Sequence, residues 1–437
     1  MSAYYERSTL SESIGFNVII DPKFKTNSVI IRFITPLSKQ KSAGYALAAS
    51  LLTTSCSKYP TQALFNRKMN KLYGGSASVD VSKFGDYQII TASFSALCNR
   101  YALDNEDVLG ELIEIIENCL FEPNIEKGRF SENEYTIKVK DLLDTIEAEI
   151  NNKRSYAIRQ CSRIAYKNEP ASLSSYGTQE EVLKLTPQST YEAYKELLCS
   201  AALEIFLVSP QSEPSVADKF SEMFLRIDRS KALKLPNFIT PSPLKSEAEC
   251  FTETLPVAQC KMVLTFKPDG SYDHSSHGAY VMFLMNIIFG ATPFSLLFAN
   301  VREKLSLCYY CSSSYSESKQ SLIVDCGVLK ANIETAKEEI LKQLENIASG
   351  AFSDELLENA RMSAYNSIKS LGYTPSSYIH WYFKNIVLCE DRTVESMLKQ
   401  YESITREEIM SAAASLKLDT IYIMEAEKEN EEEAADE

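Results

Sequence analysis

Two stretches about 220 positions apart share one pattern: LTPQSTYEAYKELLCSAALEIFLV closes the first half of the chain and SITREEIMSAAASLKLDTIYIME closes the second. In each, a threonine opens an amphipathic helix and a β-rich apolar run follows. The elements before them repeat as well. The first half offers GFNVIID and SVIIRFI as paired strands split by the turn-like DPKFKTN, then helices over SAGYALAASLLTT and TQALFNRKMNKLYG. The strands SASVDVS and YQIITASF follow around an FGD turn, then the helix DVLGELIEIIENCLF and a charge-laced helix from Glu132 to about Tyr156. The second half runs CKMVLTF as a strand, GAYVMFLMNIIFG and PFSLLFANVREKL as helices, LCYYCSSSY and SLIVDCGV as paired strands, and two helices each closed by glycine. A duplication of this kind predicts an α+β chain of two tandem homologous domains, each a mostly antiparallel sheet with helices packed on one face.

Between the copies, KALKLPNFITPSPLKSEAEC carries three prolines and has the composition of a linker. The expected boundaries are a first domain over residues 1–224, a linker over 225–248, a second domain over 249–424 and an acidic, disordered tail over 425–437. The net charge of −14 opposes a nucleic-acid partner, which needs a basic face, and opposes docking on an anionic membrane. The N-terminal MSAYYERSTLSES has neither a basic nor an apolar leader region, and no run of about 18 apolar residues occurs. Eleven cysteines without metal-finger spacing fit a reducing cytoplasm. Cys308 and Cys311 form a CxxC, but a regular strand sends i and i+3 to opposite faces, so a redox or zinc pair is not expected there.

The second-half string Gly290, Ser295, Leu296, Arg302, Glu303, Lys304, Leu307 and Tyr309, with Leu297 and Phe298 displaced by one step, resembles a motif of the pitrilysin/insulinase family of inverted-motif zinc peptidases. The two-domain repeat extends that resemblance from about residue 10 to 425, nearest to the short bacterial branch related to the mitochondrial processing peptidases. The resemblance implies catalysis through a His-x-x-Glu-His on the first long helix of the first half. Here the corresponding positions fall at about Ala46, Ala49 and Ser50, and a distal Glu falls near Lys140; the first half contains no histidine at all. No zinc is therefore expected in this chain. The resemblance further implies that Arg302 and Tyr309 hold a peptide backbone opposite the zinc of another first half. The chain is then the non-catalytic subunit of a heterodimeric metallopeptidase, completing the site of a homologous zinc-bearing partner, with a homodimer possible in that partner's absence. The physical fit is independent of the family: arginine is an always-charged donor fork, and tyrosine adds one directed hydroxyl.

Other readings remain beside this one. Arg302 could close its helix as a favourable cation, with Tyr309 a half-buried strand residue. Tyr310 takes the role if the register slips by one. The chain could also be a peptidase-like scaffold or peptide-binding module with no part in hydrolysis. His274 and His277 at i, i+3 suggest a metal, but the segment reads as a polar turn with Ser275 or Ser276 as N-cap. His380 beside Trp381 reads as a core or contact cluster, and Gly177 and Thr178 as a turn and N-cap before Glu180 and Glu181.

Overall fold

The computed structural model describes residues 3–273, 275–388 and 392–427; His274, Cys389 and tail residues 428–437 lie outside them. Two compact units emerge. The first gathers Met1–Ala148, Leu173–Phe238 and Gly372–Val387, and the second gathers Glu149–Ser172, Ile239–Leu371 and Leu388–Glu437. Each sequence half thus lends one segment to the unit built mainly from the other.

The first unit contains a six-stranded sheet. Its strands are β1 (Tyr4–Ser11), β2 (Ile14–Ile20), β3 (Thr26–Pro36), β4 (Ser76–Phe84), β5 (Tyr87–Leu97) and, after a two-residue hairpin of β6 (Ile125–Glu126) and β7 (Arg129–Phe130), β8 (Ala202–Ser209). The order is β1-β2-β8-β3-β5-β4. The expected pairing of β2 with β3 does not form: β8 lies between them, parallel to β2 and antiparallel to β3. All eight residues of β8 are buried, and a strand enclosed on both faces belongs at a sheet centre. One face packs against α1 (Ser42–Leu52), α2 (Gln62–Lys71), α3 (Val108–Phe121), α7 (Pro187–Ser200) and α8 (Ser215–Phe224), while α4 (Glu132–Ala148) and α6 (Gln179–Leu183) pack on α1. Glycine and threonine before α6 do what the sequence suggests: Gly177 takes φ 78° and Thr178 forms a capping box with Glu181.

The Glu132–Tyr156 stretch is not one helix. It breaks after Ala148, and α5 (Lys153–Ala165) restarts from Asn152, whose side chain accepts from Ser155 N. The break passes the chain from one unit to the other. In the second unit, β9 (Glu249–Leu255), β10 (Cys260–Pro268), β11 (Cys308–Ser316), β12 (Ser321–Val328) and β13 (Leu416–Ala426) form a sheet ordered β11-β12-β10-β13-β9. Only β13 and β9 pair in parallel. Met262, Leu264 and Phe266 of β10 enter the core under α9 (Ser276–Asn286), α10 (Ile333–Ala348), α11 (Asp354–Lys369), α13 (Val394–Ser403) and α14 (Arg406–Ser415). Val263, pointing the other way, meets Ala157 and Cys161 of α5. Small residues at i, i+4 and i+8 (Ala157, Cys161, Ala165) let that helix lie close on the strands. Reciprocally, α12 (Pro375–Val387) packs in the first unit, where Phe383 meets Phe206 of β8 and stacks on the Arg32 guanidinium at 4.1 Å. Helices therefore cover both faces of each sheet in part, beyond the one face expected. The continuous apolar runs of β8 and β10 are the signal of this.

The linker stretch has no helix or strand between Phe224 and Glu249, yet it is pinned. Phe238 is fully enclosed by Phe84, Tyr87 and Phe383 in the first unit. In the second unit, Lys245 Nζ donates to Thr420 Oγ1 at 2.9 Å. Among the described residues no helix is long and apolar enough to cross a membrane.

Candidate functional site

Arg302 and Tyr309 belong to the second unit, on either side of a turn. The helix expected to begin at Pro293 begins later and winds differently. After α9 the chain continues as a π-helical turn, Ile287–Ala291, crosses a turn containing Pro293, and enters a second π segment, Leu297–Lys304. Leu305 N donates to Asn300 O, five residues back, at 3.1 Å. Such wide turns are uncommon and recur at functional sites. Between the two segments Ser295 is buried, and its Oγ donates to Thr292 O at 2.6 Å. Gly290 is there because nothing larger fits: a Cβ would lie 2.6 Å from Ser313 Oγ and 2.7 Å from Leu297 Cδ1. Ser313 cannot yield freely, since its hydroxyl is held by Asn286 Oδ1 at 2.6 Å. Gly290→Ala is accordingly expected to cost about 1–3 kcal/mol, read as a lower urea midpoint at unchanged m-value, because a packed core resists extra volume.

The π segment packs on β11 and carries Arg302 half-exposed. Its guanidinium lies 4.6 Å from the Phe298 ring centre and 3.5 Å from the Glu303 carboxylate. Tyr309 is 56% exposed, and among the described residues its hydroxyl has no hydrogen-bond partner. The reason is a β-bulge. Cys308 pairs with Val328 and Tyr310 with Gly327, so Tyr309 is an extra residue without a partner across the ladder. A bulge redirects side chains locally, and here it turns one tyrosine outward and its neighbour inward. Tyr310 lies against Gly327, where a Cβ would come within 2.6 Å of the ring, and the Arg154 guanidinium from α5 covers it at 4.4 Å. Arg154 is fixed in turn by a bidentate pair with Asp325 and by Ser312. Burial pushes the Tyr310 hydroxyl well above its ordinary pKa. Tyr310 is thus a packing residue, and of the two tyrosines Tyr309 is the one presented outward.

The bulge also overturns the reading of Cys308 and Cys311. A regular strand would separate them, but the extra residue returns both side chains to the core face, where they share one hydrophobic cluster. No local sequence signal marks the bulge. The CxxC spacing is its one trace.

In the first unit the positions matching the family's metal motif are packed shut. Ala46 and Ala49 are buried in the main core, and Ser50 Oγ donates to Leu47 O at 2.7 Å. Every residue of α1 is Gly, Ala, Leu, Ser or Tyr, so a shift of register supplies no ligand either. Lys140 is exposed on α4. The nearby Glu134 carboxylate accepts from Ser55 Oγ at 2.8 Å. Zinc needs three or four nitrogen, sulfur or carboxylate donors converging on one point, and these side chains cannot supply them. Among the described residues no group of three or more His, Cys, Asp and Glu is placed to hold a metal.

His277 has a different task. Ser275 caps α9, and the imidazole bridges Gln400 Oε1 and Glu408 Oε1, each at 2.8 Å. These two hydrogen bonds hold the His277 pKa above its ordinary value. Glu408, capping the helix at Thr405 and facing His277, is held below the carboxylate range. The histidine's contribution to stability is complete below the unfolded value of about 6.5 and fades as pH rises through the higher folded value. His277→Gln should therefore lower Tm at pH 6 by about 1–3 °C, a modest amount for a pair this exposed, and the gap should close by pH 9. A gap that widens with pH would reverse the assignment. His380 is exposed on α12, while Trp381 beside it is buried.

Residues 184–364 match a family described as the Peptidase M16 inactive domain. The chain is 24% identical to a probable inactive metalloprotease of Bacillus subtilis strain 168, YmfF, over 97% of this chain and 98% of that one. Among solved structures, a conserved protein of Enterococcus faecalis V583 is similar at TM-score 0.88 and 26% identity, covering 98% of this chain and 99% of the other. A protein from Pseudomonas fluorescens described as a peptidase M16 inactive domain shares the fold at TM-score 0.77 and 15% identity, over 97% and 98% of the two chains.

Proposed function

We propose that this chain, similar to inactive M16 peptidases in family match, relative and fold, is the non-catalytic subunit of a heterodimeric zinc metallopeptidase. In this reading a homologous partner carries the zinc, and this chain contributes Arg302, Tyr309 and half of a peptide chamber. The observation that carries the reading is a contrast. Tyr309 is turned outward by a dedicated bulge beside a half-exposed arginine, whereas two of the metal-motif positions are alanines closed into the core and the third is Ser50. Chemically, the arginine fork and the tyrosine hydroxyl suit a peptide carbonyl on which negative charge develops. The outer edge of β11 has no neighbouring strand in its sheet. An extended peptide can pair with such an edge through backbone hydrogen bonds and so reach both side chains.

A scaffold reading draws on one observation: Arg302 already has Glu303 and Phe298 as neighbours and needs no ligand to be satisfied. Mixing the chain with a homologous subunit bearing His-x-x-Glu-His separates the two. The proposed role requires that neither subunit alone cleaves a fluorogenic peptide, that the mixture does so in a chelator-sensitive manner, and that Arg302 and Tyr309 are needed. Chelator-sensitive cleavage by this chain alone, or full activity of a mixture lacking both side chains, would falsify it.

A further inference from the structure

The bulge that presents Tyr309 has two thiols at its base. Cys308 precedes Tyr309, Cys311 follows Tyr310, and the inserted residue turns both side chains to the core side of β11, opposite Val328 and Cys326 and within one cluster. Cys308 begins the strand and retains 8% exposure, whereas Cys311 is 3% exposed. The Leu297–Lys304 segment that holds Arg302 packs on this strand and leads into it. We propose that Cys308 and Cys311 are a peroxide-oxidisable dithiol, with Cys308 attacked first and Cys311 resolving, and that its oxidation regulates the Arg302–Tyr309 grip. The regulatory half of this inference rests on the proposed function; the modification site does not.

The chemistry balances with a hydroperoxide as oxidant. The Cys308 thiolate attacks the terminal peroxide oxygen, the O–O bond breaks, and Cys308 becomes a sulfenic acid as hydroxide or alkoxide leaves. The Cys311 sulfur then attacks the sulfenic sulfur and displaces its hydroxyl as water. Two thiols are oxidised to one disulfide while one peroxide is reduced. Reactivity in such a pair follows thiolate character and access. The Cys311 hydrogen bond and the Arg302 charge hold the Cys308 thiol below its usual pKa against the opposing effect of burial. Two other cysteines meet one requirement each. Cys56, also held low at about 7 by its hydrogen bond to Cys119, is fully enclosed. Cys250 is exposed, but burial of its sulfur pushes its pKa up. Closing the disulfide ties the two ends of the bulge together around Tyr309 and removes a titratable thiol beside Arg302. Both effects act on the presented pair.

The test is differential. The full chain is treated with equimolar hydrogen peroxide at pH 7, alkylated without reduction and digested with trypsin. Cys308 and Cys311 share the peptide over residues 305–319, and Cys326, the cross-strand neighbour of Cys311, lies on the next one. The 305–319 peptide should lose two hydrogens about tenfold faster than the Cys250 peptide is oxidised, and dithiothreitol should restore it. In Cys311→Ser, dimedone should trap the sulfenic acid on Cys308. A disulfide between Cys311 and Cys326, or oxidation of Cys250 with this peptide intact, overturns the site. The peptidase mixture described above is then assayed with oxidised chain. A drop of at least about fivefold, reversed by dithiothreitol and absent in Cys311→Ser, supports regulation. Unchanged cleavage by a mixture that still depends on Arg302 overturns regulation alone, while independence from Arg302 overturns the underlying function.

Discussion

Arg302→Ala, in a chain mixed with its zinc-bearing homologue, is expected to lower kcat for peptide cleavage by about 10²–10³-fold, the usual effect of deleting one donor to a developing oxyanion. Tyr309→Phe, which removes only the hydroxyl, should cost about tenfold to a hundredfold, and the double substitution should not exceed the sum of the two free energies. Neither change should unfold the protein. Arg302 is half-exposed, Tyr309 is more than half exposed, and Tyr309 has no hydrogen-bond partner to lose. Unfolding free energies from urea titration should therefore shift by no more than about 0.5 kcal/mol. Arg302→Lys is expected to recover little, because an ammonium cannot reproduce the planar fork. The division between kcat and KM adds information: a loss confined to KM would mean a uniform grip on the peptide and not stabilisation of the reacting carbonyl. Equal activity in all four proteins would place the chain among the scaffolds.

Asp419→Ala should produce the largest loss of stability. Asp419 is fully buried on β13, and its carboxylate lies 3.3 Å from the Nζ of Lys267, a lysine only 1% exposed. Lys267 in turn donates to Ala165 O at the end of α5 and to Pro243 O in the linker stretch. Asp419 Oδ1 also accepts from Lys245 N at 3.0 Å. One carboxylate thus ties together β10, β13, the borrowed helix and the incoming chain. Removing it leaves a buried ammonium without a counter-ion, which costs about 3–5 kcal/mol when one partner of a buried pair is deleted. The measurement is urea unfolding followed by far-UV circular dichroism. The double variant Lys267→Met with Asp419→Leu should recover much of the loss, since an apolar pair of similar volume needs no compensation. If Asp419→Ala costs less than about 1 kcal/mol, water reaches the lysine and the network is not a tie.

Much of the architecture could be read in the amino-acid order because it rests on local rules. Threonine caps, glycine stops and period-2 apolar runs name helices and strands one at a time. Thr186 and Thr405 open matching helices before β8 and β13, and the duplication follows from that. The absence of the His-x-x-Glu-His motif was legible for the same reason, since no arrangement of backbone turns Ala46, Ala49 and Ser50 into zinc ligands. Sheet order was less legible. β8 slips between β2 and β3 because burial on both faces selects the centre of a sheet, a choice made among distant segments.

By itself, then, the sequence determined which elements form, that they come in two copies, and that the first copy has no histidine and places Ala46, Ala49 and Ser50 at the motif positions, because propensity, capping and side-chain chemistry belong to single residues or short windows. Only the tertiary structure decided that α5 and α12 pack in the units of the opposite halves, that Tyr309 faces outward while Tyr310 is pinned beneath Arg154, and that Cys308 meets Cys311. Those outcomes turn on one inserted residue in a ladder and on which distant surface best buries a stripe of small side chains. They are properties of pairing and packing, which no local window of residues contains.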